Sequence, residues 1–247
     1  MSNRKNYDFD MMISSNRISD HSFVHKFGAV PGMSVGNNGT IWDVNDTMYP
    51  WDALDPATNI HITNNIADAG LQVVVQGLDA NFEEVSETIT LTGEDTAGTV
   101  SFHRVNRAFI ASGDSNTQDV NIHAGAGNGT IVARITANLG QTLMAVYTIP
   151  ANRTGYLYQS TMTVGSSGDA SGFMYFKYYS DDSTGNPFRI GHTFEVQGEG
   201  GQHTYNFTFP IPLPAKTDID IRATTRTNNV RASAAFDILL VADDAEI

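Results

Sequence analysis

Residues 71–93, LQVVVQGLDANFEEVSETITLTG, set the architecture that the rest of the chain has to match. Val73 and Val75 share one face of the run Leu71–Gln76. Val85, Ile89 and Leu91 share one face of Glu84–Thr92, with Ser86, Thr88 and Thr90 on the other. A period of two marks a strand with one buried face. The intervening Gly77-Leu78-Asp79-Ala80-Asn81 is rich in residues that tolerate tight turns, so the stretch predicts a β-hairpin. No apolar period of 3.6 residues of useful length competes with it, and the expected class is all-β.

The same alternation recurs downstream. Asn59–Thr63, Val100–Ala111 and Asp119–His123 read as further strands of a first, smaller sheet. Eight longer runs then follow: Ile131–Thr136, Thr142–Ile149, Thr154–Val164, Gly172–Ser180, Phe188–Gln197, Thr204–Phe209, Asp218–Thr227 and Ala234–Val241. Eight such runs predict a two-sheet antiparallel sandwich of jelly-roll type. Ile219, Ile221 and Ala223 share one face of their run, and Asp218, Asp220 and Arg222 the other. Pro210, Pro212 and Pro214 cannot donate to a ladder, which puts that segment at a sheet edge or between sheets. The expected organisation is a flexible arm over 1–20, an N-terminal β-region over 21–124 and a C-terminal β-sandwich over 130–247. The segment from Gly125 to Gly129 is the candidate hinge or long turn. Between His21 and Asp55 the chain reads as a long loop anchored by Phe23, Phe27, Trp42, Tyr49 and Trp51; the alternative is an intersubunit interface.

Composition narrows function. The net charge is −13, with only 14 Lys and Arg in 247 residues, so neither nucleic acid nor an anionic membrane surface is an expected partner. There is no cysteine, which excludes thiol nucleophiles and cysteine zinc sites and fits assembly in a host cytoplasm. The start, MSNRKNYDFDMM, has no apolar run of signal-peptide length.

No residue is assigned a catalytic, cofactor-binding or metal-ligating role, and no cofactor is implied. His21 and His25 have i,i+4 spacing, but their Gly- and Pro-containing surroundings do not favour the helix a zinc site would need. His103 and His123 fall in strands and read as polar-face residues. Glu83-Glu84, Glu94-Asp95, Asp181-Asp182 and Asp243-Asp244 sit at turns or loops, away from the framed cleft that glycoside hydrolysis requires. Asn37-Asn38 and Asp43-Val44-Asn45-Asp46 offer oxygens to calcium but lack the later Gly and Glu of a helix–loop–helix site. Gly125–Gly129 precede a strand, not the Lys-Ser/Thr and helix of a phosphate loop. The strip Phe173–Tyr179 has aromatics on both faces. A carbohydrate platform is one reading, and a strand sealed by the core on one side and a neighbouring subunit on the other is the favoured one.

Several segments resemble a virion protein of tailed bacteriophages, common in marine phages. They are Phe27-Gly28, Thr40-Ile41-Trp42-Asp43 and Tyr49-Pro50; Val74–Asn81, Glu87–Leu91 and Arg104–Ala108; and Gly140–Ala145, Ile149-Pro150 and Leu213–Ile219. The resemblance spans Val24 to Val241. It implies a non-enzymatic structural component of the particle, either a head decoration (cement) protein or a neck- or tail-associated one. The Trp42–Trp51 loop, the two-faced strip Phe173–Tyr179 and the expected open sheet edges predict a homo-oligomer; the resemblance adds a preference for a trimer and a partner such as the major capsid protein. The alternative is a tail- or fibre-associated module that binds or cleaves glycans.

Overall fold

A computed structural model of the chain describes residues 9–127, 129–165, 168–179, 187–198 and 200–245. Among the described residues, sixteen strands form four antiparallel sheets. The predicted hairpin is β4 (Gln72–Leu78) against β5 (Glu84–Thr90), with Gly77 opposite Val85. Val73, Val75 and Ile89 are buried, Val85 is half-buried, and Ser86, Thr88 and Thr90 face solvent. The turn falls at Asp79–Glu83, slightly later than expected. There the Asp79 carboxylate accepts from the amides of Asn81 and Glu83.

Two sheets make a jelly roll. The first runs β1 (His21–Met33), β16 (Val230–Ala242), β11 (Arg153–Val164), β14 (Gln202–Leu213). The second runs β10 (Val146–Thr148), β15 (Asp218–Thr225), β12 (Ala170–Lys177), β13 (Arg189–Val196), with β2 (Gly39–Thr40) also on β15. The pairs β1–β16, β10–β15, β11–β14 and β12–β13 are nested, so the chain is one long antiparallel hairpin rolled into a sandwich. Core side chains include Val30, Ile41, Leu157, Met174, Phe194, Ile221 and Phe236. As expected for the proline-rich segment, β14 is an edge strand and carries Pro210 and Pro212.

A second sandwich holds the remaining strands. One of its sheets is β6 (Asp95–Phe102), β3 (Thr58–Thr63), β8 (Val120–Ala124), β9 (Ile131–Ile135). The other is β5, β4, β7 (Arg104–Ser112). The expected single strand Val100–Ala111 is thus two, broken at His103. Gly125–Gly129 are the connection of the β8–β9 hairpin, closed by Gly129 N–H donating to the Ala126 carbonyl; Asn128 lies outside the described residues.

Packing partitions the chain differently from the expected 21–124 and 130–247. The β1 strand, read as loop, is the first strand of the jelly roll. The run at Ile131, read as that sandwich's first strand, belongs to the second. The second sandwich is an insertion. Ile41 donates to the Ile221 carbonyl, Ile221 to Ala145 and Ala145 to Ile41, so Ile41 and Ala145 are neighbours in one lane beside β15. Between them the chain leaves and returns, Trp42 bridging Met144. Ile41 and Ala145 point into the jelly-roll core, while Trp42 and Met144 point into the other. Gly28 packs on this junction. A Cβ there would lie 2.3 Å from the Ile41 oxygen and the Ala145 nitrogen, so no larger residue fits.

The arm expected over 1–20 is ordered where it is described. Residues 9–14 form a short helix, α1 (Phe9–Ser14), which packs on β1 and buries Ile13. Ser14 and Ser15 hydroxyls donate back to the Asp10 and Met11 carbonyls in its last turn. Residues 1–8 lie outside the described residues.

Candidate functional site

The densest polar cluster sits where the insertion meets the jelly roll. Strand β15 presents Asp218, Asp220 and Arg222 on the face opposite its core residues. That face is covered by the insertion, and both carboxylates are fully buried. Arg104 at the start of β7 reaches across. Its Nε and Nη2 donate to the two oxygens of Asp218, each at 3.1 Å. Its Nη1 donates to the carbonyls of His103 (2.8 Å) and Trp51 (3.3 Å), and Nη2 also to the Tyr179 hydroxyl (2.6 Å). All five guanidinium N–H groups are therefore engaged, in the forked geometry arginine makes with carboxylates. The Thr148 hydroxyl adds a 2.5 Å donor to Asp218.

Asp220 is held in the same way. Thr40 donates to one oxygen at 2.9 Å, and Trp51 Nε1 (3.1 Å) and Arg222 Nε (2.7 Å) donate to the other. Burial raises its pKa above the usual carboxylate range, against the pull of Arg222, Trp51 and Thr40. Aromatic rings seal the cluster. Trp42, Tyr49, Trp51 and Phe188 follow one another with centroid separations of 5.2, 4.8 and 5.5 Å. Arg222 lies 4.5 Å from the Tyr175 centroid and 4.6 Å from that of Phe188. Here a cleft of ≈ 550 Å³ opens, lined by Tyr49, Trp51, Lys177, Phe188 and Arg222 among others. Chemically the cluster is a clamp: Asp218 is taken by Arg104 and Thr148, Asp220 by Arg222, Trp51 and Thr40, and the bonds from Arg104 and Trp51 tie the insertion to β15.

The anchors expected between subunits, Trp42 and Trp51, are 1% and 7% exposed within this single chain. Their rings pack on Tyr49 and Arg104, so they are core and clamp residues, and the interface reading is corrected for these two anchors; Phe23 is exposed. Of the strip Phe173–Tyr179, residues 173–177 lie on β12 inside the second jelly-roll sheet, and Tyr178 and Tyr179 follow it. Met174 and Phe176 enter the core, and Tyr175 on the other face is partly covered by this chain's own Arg222. His103 and His123 are buried, contrary to a polar-face position. His103 Nδ1 pairs with the Leu54 carbonyl, and His123 bridges the Thr63 hydroxyl and the Gly129 carbonyl. His25 pairs with Asp237 at 2.5 Å. The oxygens considered for calcium accept hydrogen bonds from the chain around them. Asp46 accepts from Ser34 N–H and Asn37, Asn45 from Thr47, and Asp43 from Thr136. Of the paired acids, Asp181 and Asp182 lie outside the described residues.

Asp43 gives a pH signature. Burial drives its carboxyl from 3.8 up to about 6, against the Thr136 hydrogen bond. A raised carboxylate pKa means that the folded state binds more protons, so this contribution to stability is present below about 4 and is lost as pH rises through about 6. Asp43→Asn is expected to raise the melting temperature at pH 7.5 and leave it nearly unchanged at pH 4. Equal shifts at both pH values would refute the assignment.

No family model matches this chain, and no curated protein sequence matches it. Among solved structures, the chain is similar to a chain of the naturally occurring empty particles (top component) of cowpea mosaic virus. The identity is 13% and the TM-score 0.21, over 72% of this chain and 80% of that one. It is also similar to a chain of infectious bursal disease virus, Gx strain. There the identity is 11% and the TM-score 0.17, over 92% of this chain and 73% of that one. At these scores neither likeness bears on how the protein works.

Proposed function

We propose that this chain is a non-enzymatic structural subunit of a bacteriophage particle, a decoration protein that stabilises the capsid through protein–protein contacts. Eight-stranded jelly rolls recur in viral capsid proteins and in lectins, and the fold alone does not choose between them. The observation that carries the choice is the surface of β14. This edge strand is mostly exposed along its length, with Tyr205 45% and Phe209 86% exposed. Ile190 on β13, the edge strand of the other sheet, is exposed as well. An open edge bearing large apolar side chains favours a protein neighbour, and Pro210 and Pro212 favour contact through side chains over strand addition.

The neighbours are further copies of the chain, as a trimer, and a second virion protein such as the major capsid protein. The trimer follows from the sequence resemblance. The acidic charge supports neither nucleic acid nor membrane as partner, and the site of action is the virion, assembled in the host cytoplasm. A sugar-binding role loses support because Trp42 and Trp51, the rings it would use, are buried. Phe209→Asp is expected to cost about 2 kcal/mol of association, roughly 30-fold in dissociation constant, without changing the circular dichroism spectrum. Size exclusion with light scattering measures this. A wild-type monomer that neither binds stripped particles nor responds to Phe209→Asp would overturn the proposal, and glycan binding by that monomer would put the tail-module reading in its place.

A further inference from the structure

A second cationic group lies outside the clamp. Lys26 sits on the inward face of β1 and is only 7% exposed. Its Nζ donates to the Asn106 carbonyl at 2.5 Å. An ammonium has three donors, yet among the described residues no carboxylate forms an ion pair with Lys26. Buried charges are ordinarily paired, because an unpaired one carries a desolvation penalty with nothing to offset it. The next charge along is Arg107, also a cation. It stacks 4.8 Å from the Phe109 centroid and donates to Gln141.

These groups line an open groove of ≈ 400 Å³ between β1 and the β5–β4–β7 sheet, together with Gln76, Ser86 and Tyr147. His25 and Glu84 are the other charged or titratable side chains on its walls besides Tyr147. His25 is paired with Asp237, while Glu84 is largely exposed and turned to Arg153 at 4.0 Å. The groove therefore holds two cations, one of them buried, and one acid on its walls, Glu84, whose ion pair is with Arg153 and with neither of them.

We propose that this groove is an oxyanion site in which Lys26 and Arg107 bind a carboxylate. The groove has room for a short dicarboxylic acid or the end of an acidic side chain. Burial, then the charge of Arg107, draws the Lys26 amine down to about 7. The charged form that attracts an anion is therefore populated below about pH 7 and lost above it, and a bound carboxylate must raise that midpoint. The site does not depend on the assembly role proposed above.

The test follows the Lys26 Cε resonance in protein labelled with 13C-lysine, titrated in succinate and in chloride at equal ionic strength. The expected result is a midpoint at least one pH unit higher in succinate, with a higher melting temperature at pH 6. Lys26→Met keeps the stem and should abolish the succinate-dependent melting shift. Should that variant fail to fold, Arg107→Gln, at an exposed position, should weaken succinate binding about tenfold. Superimposable titrations in the two salts would overturn the proposal, as would undiminished binding in both variants. The peptide Ala-Asp-Asp-Ala-Glu-Ile, this chain's own last six residues, separates the sources. Tighter binding of the peptide than of succinate identifies a protein side chain as the ligand, the reverse order identifies a free acid, and binding of neither refutes the site.

Discussion

Arg104→Leu is expected to lower stability by about 3–5 kcal/mol, the range seen when one partner of a buried ion pair is removed. For a chain of this size that is a fall of roughly 6–20 °C in melting temperature. The magnitude follows from what is left behind. Asp218 is fully buried and would keep a single side-chain donor, Thr148, in place of three. Tyr179 and the carbonyls of Trp51 and His103 would lose their partner as well. The double variant Arg104→Leu, Asp218→Leu should recover most of the loss, because two apolar groups in contact need no partner. Thermal melts of the wild type, both single variants and the double variant close the cycle. A single variant melting within about two degrees of wild type would show that water reaches the cluster and that it is no clamp.

The second large effect concerns the insertion. Joining Ile41 to Ala145 through two glycines, with 42–144 removed, should leave a jelly roll that folds alone. The two residues already share a hydrogen bond of 2.9 Å and one lane beside β15, so the linker asks nothing new of the sheet. The face uncovered would carry Asp218, Asp220 and Arg222, which water solvates readily, so excision trades a buried polar cluster for an exposed one. The expected product is monodisperse, has a dispersed amide spectrum and melts cooperatively. A collapsed or aggregated product would mean that the jelly roll depends on the insertion for more than the clamp. The reciprocal fragment, 42–144, would expose Trp51, Tyr49 and Arg104, and is expected to aggregate.

Why the hairpin was legible and the insertion was not comes down to what alternation reports. It shows that one face of a strand is covered, without naming the partner. Val73, Val75 and Ile89 announce their face because nothing interrupts them. In β1 the inward positions are Val24, Lys26, Gly28 and Val30. The buried lysine and the glycine break the apolar count, so a thirteen-residue strand reads as loop. The Ile131 run shows its period plainly but pairs with β8 in the insertion. The clamp left no local trace. Asp218 and Asp220 look like the wet side of a strand, and the groups that bury them, Arg104 and Trp51, come from far upstream. Only the unusual Asp-Ile-Asp-Ile-Arg order, with every charge on one side, hinted that this side had a purpose.

The pairing of the first and last jelly-roll strands has a mechanical consequence. His21 lies opposite Val241 and Val30 opposite Ala232. Anything pulling on the chain before β1 and after β16 therefore grips the ladder at one end. Antiparallel strands loaded this way peel one hydrogen-bonded pair at a time, so the pulling force never meets the whole ladder at once. Traction applied at that corner would strip β1 and leave the remaining strands of the roll in place.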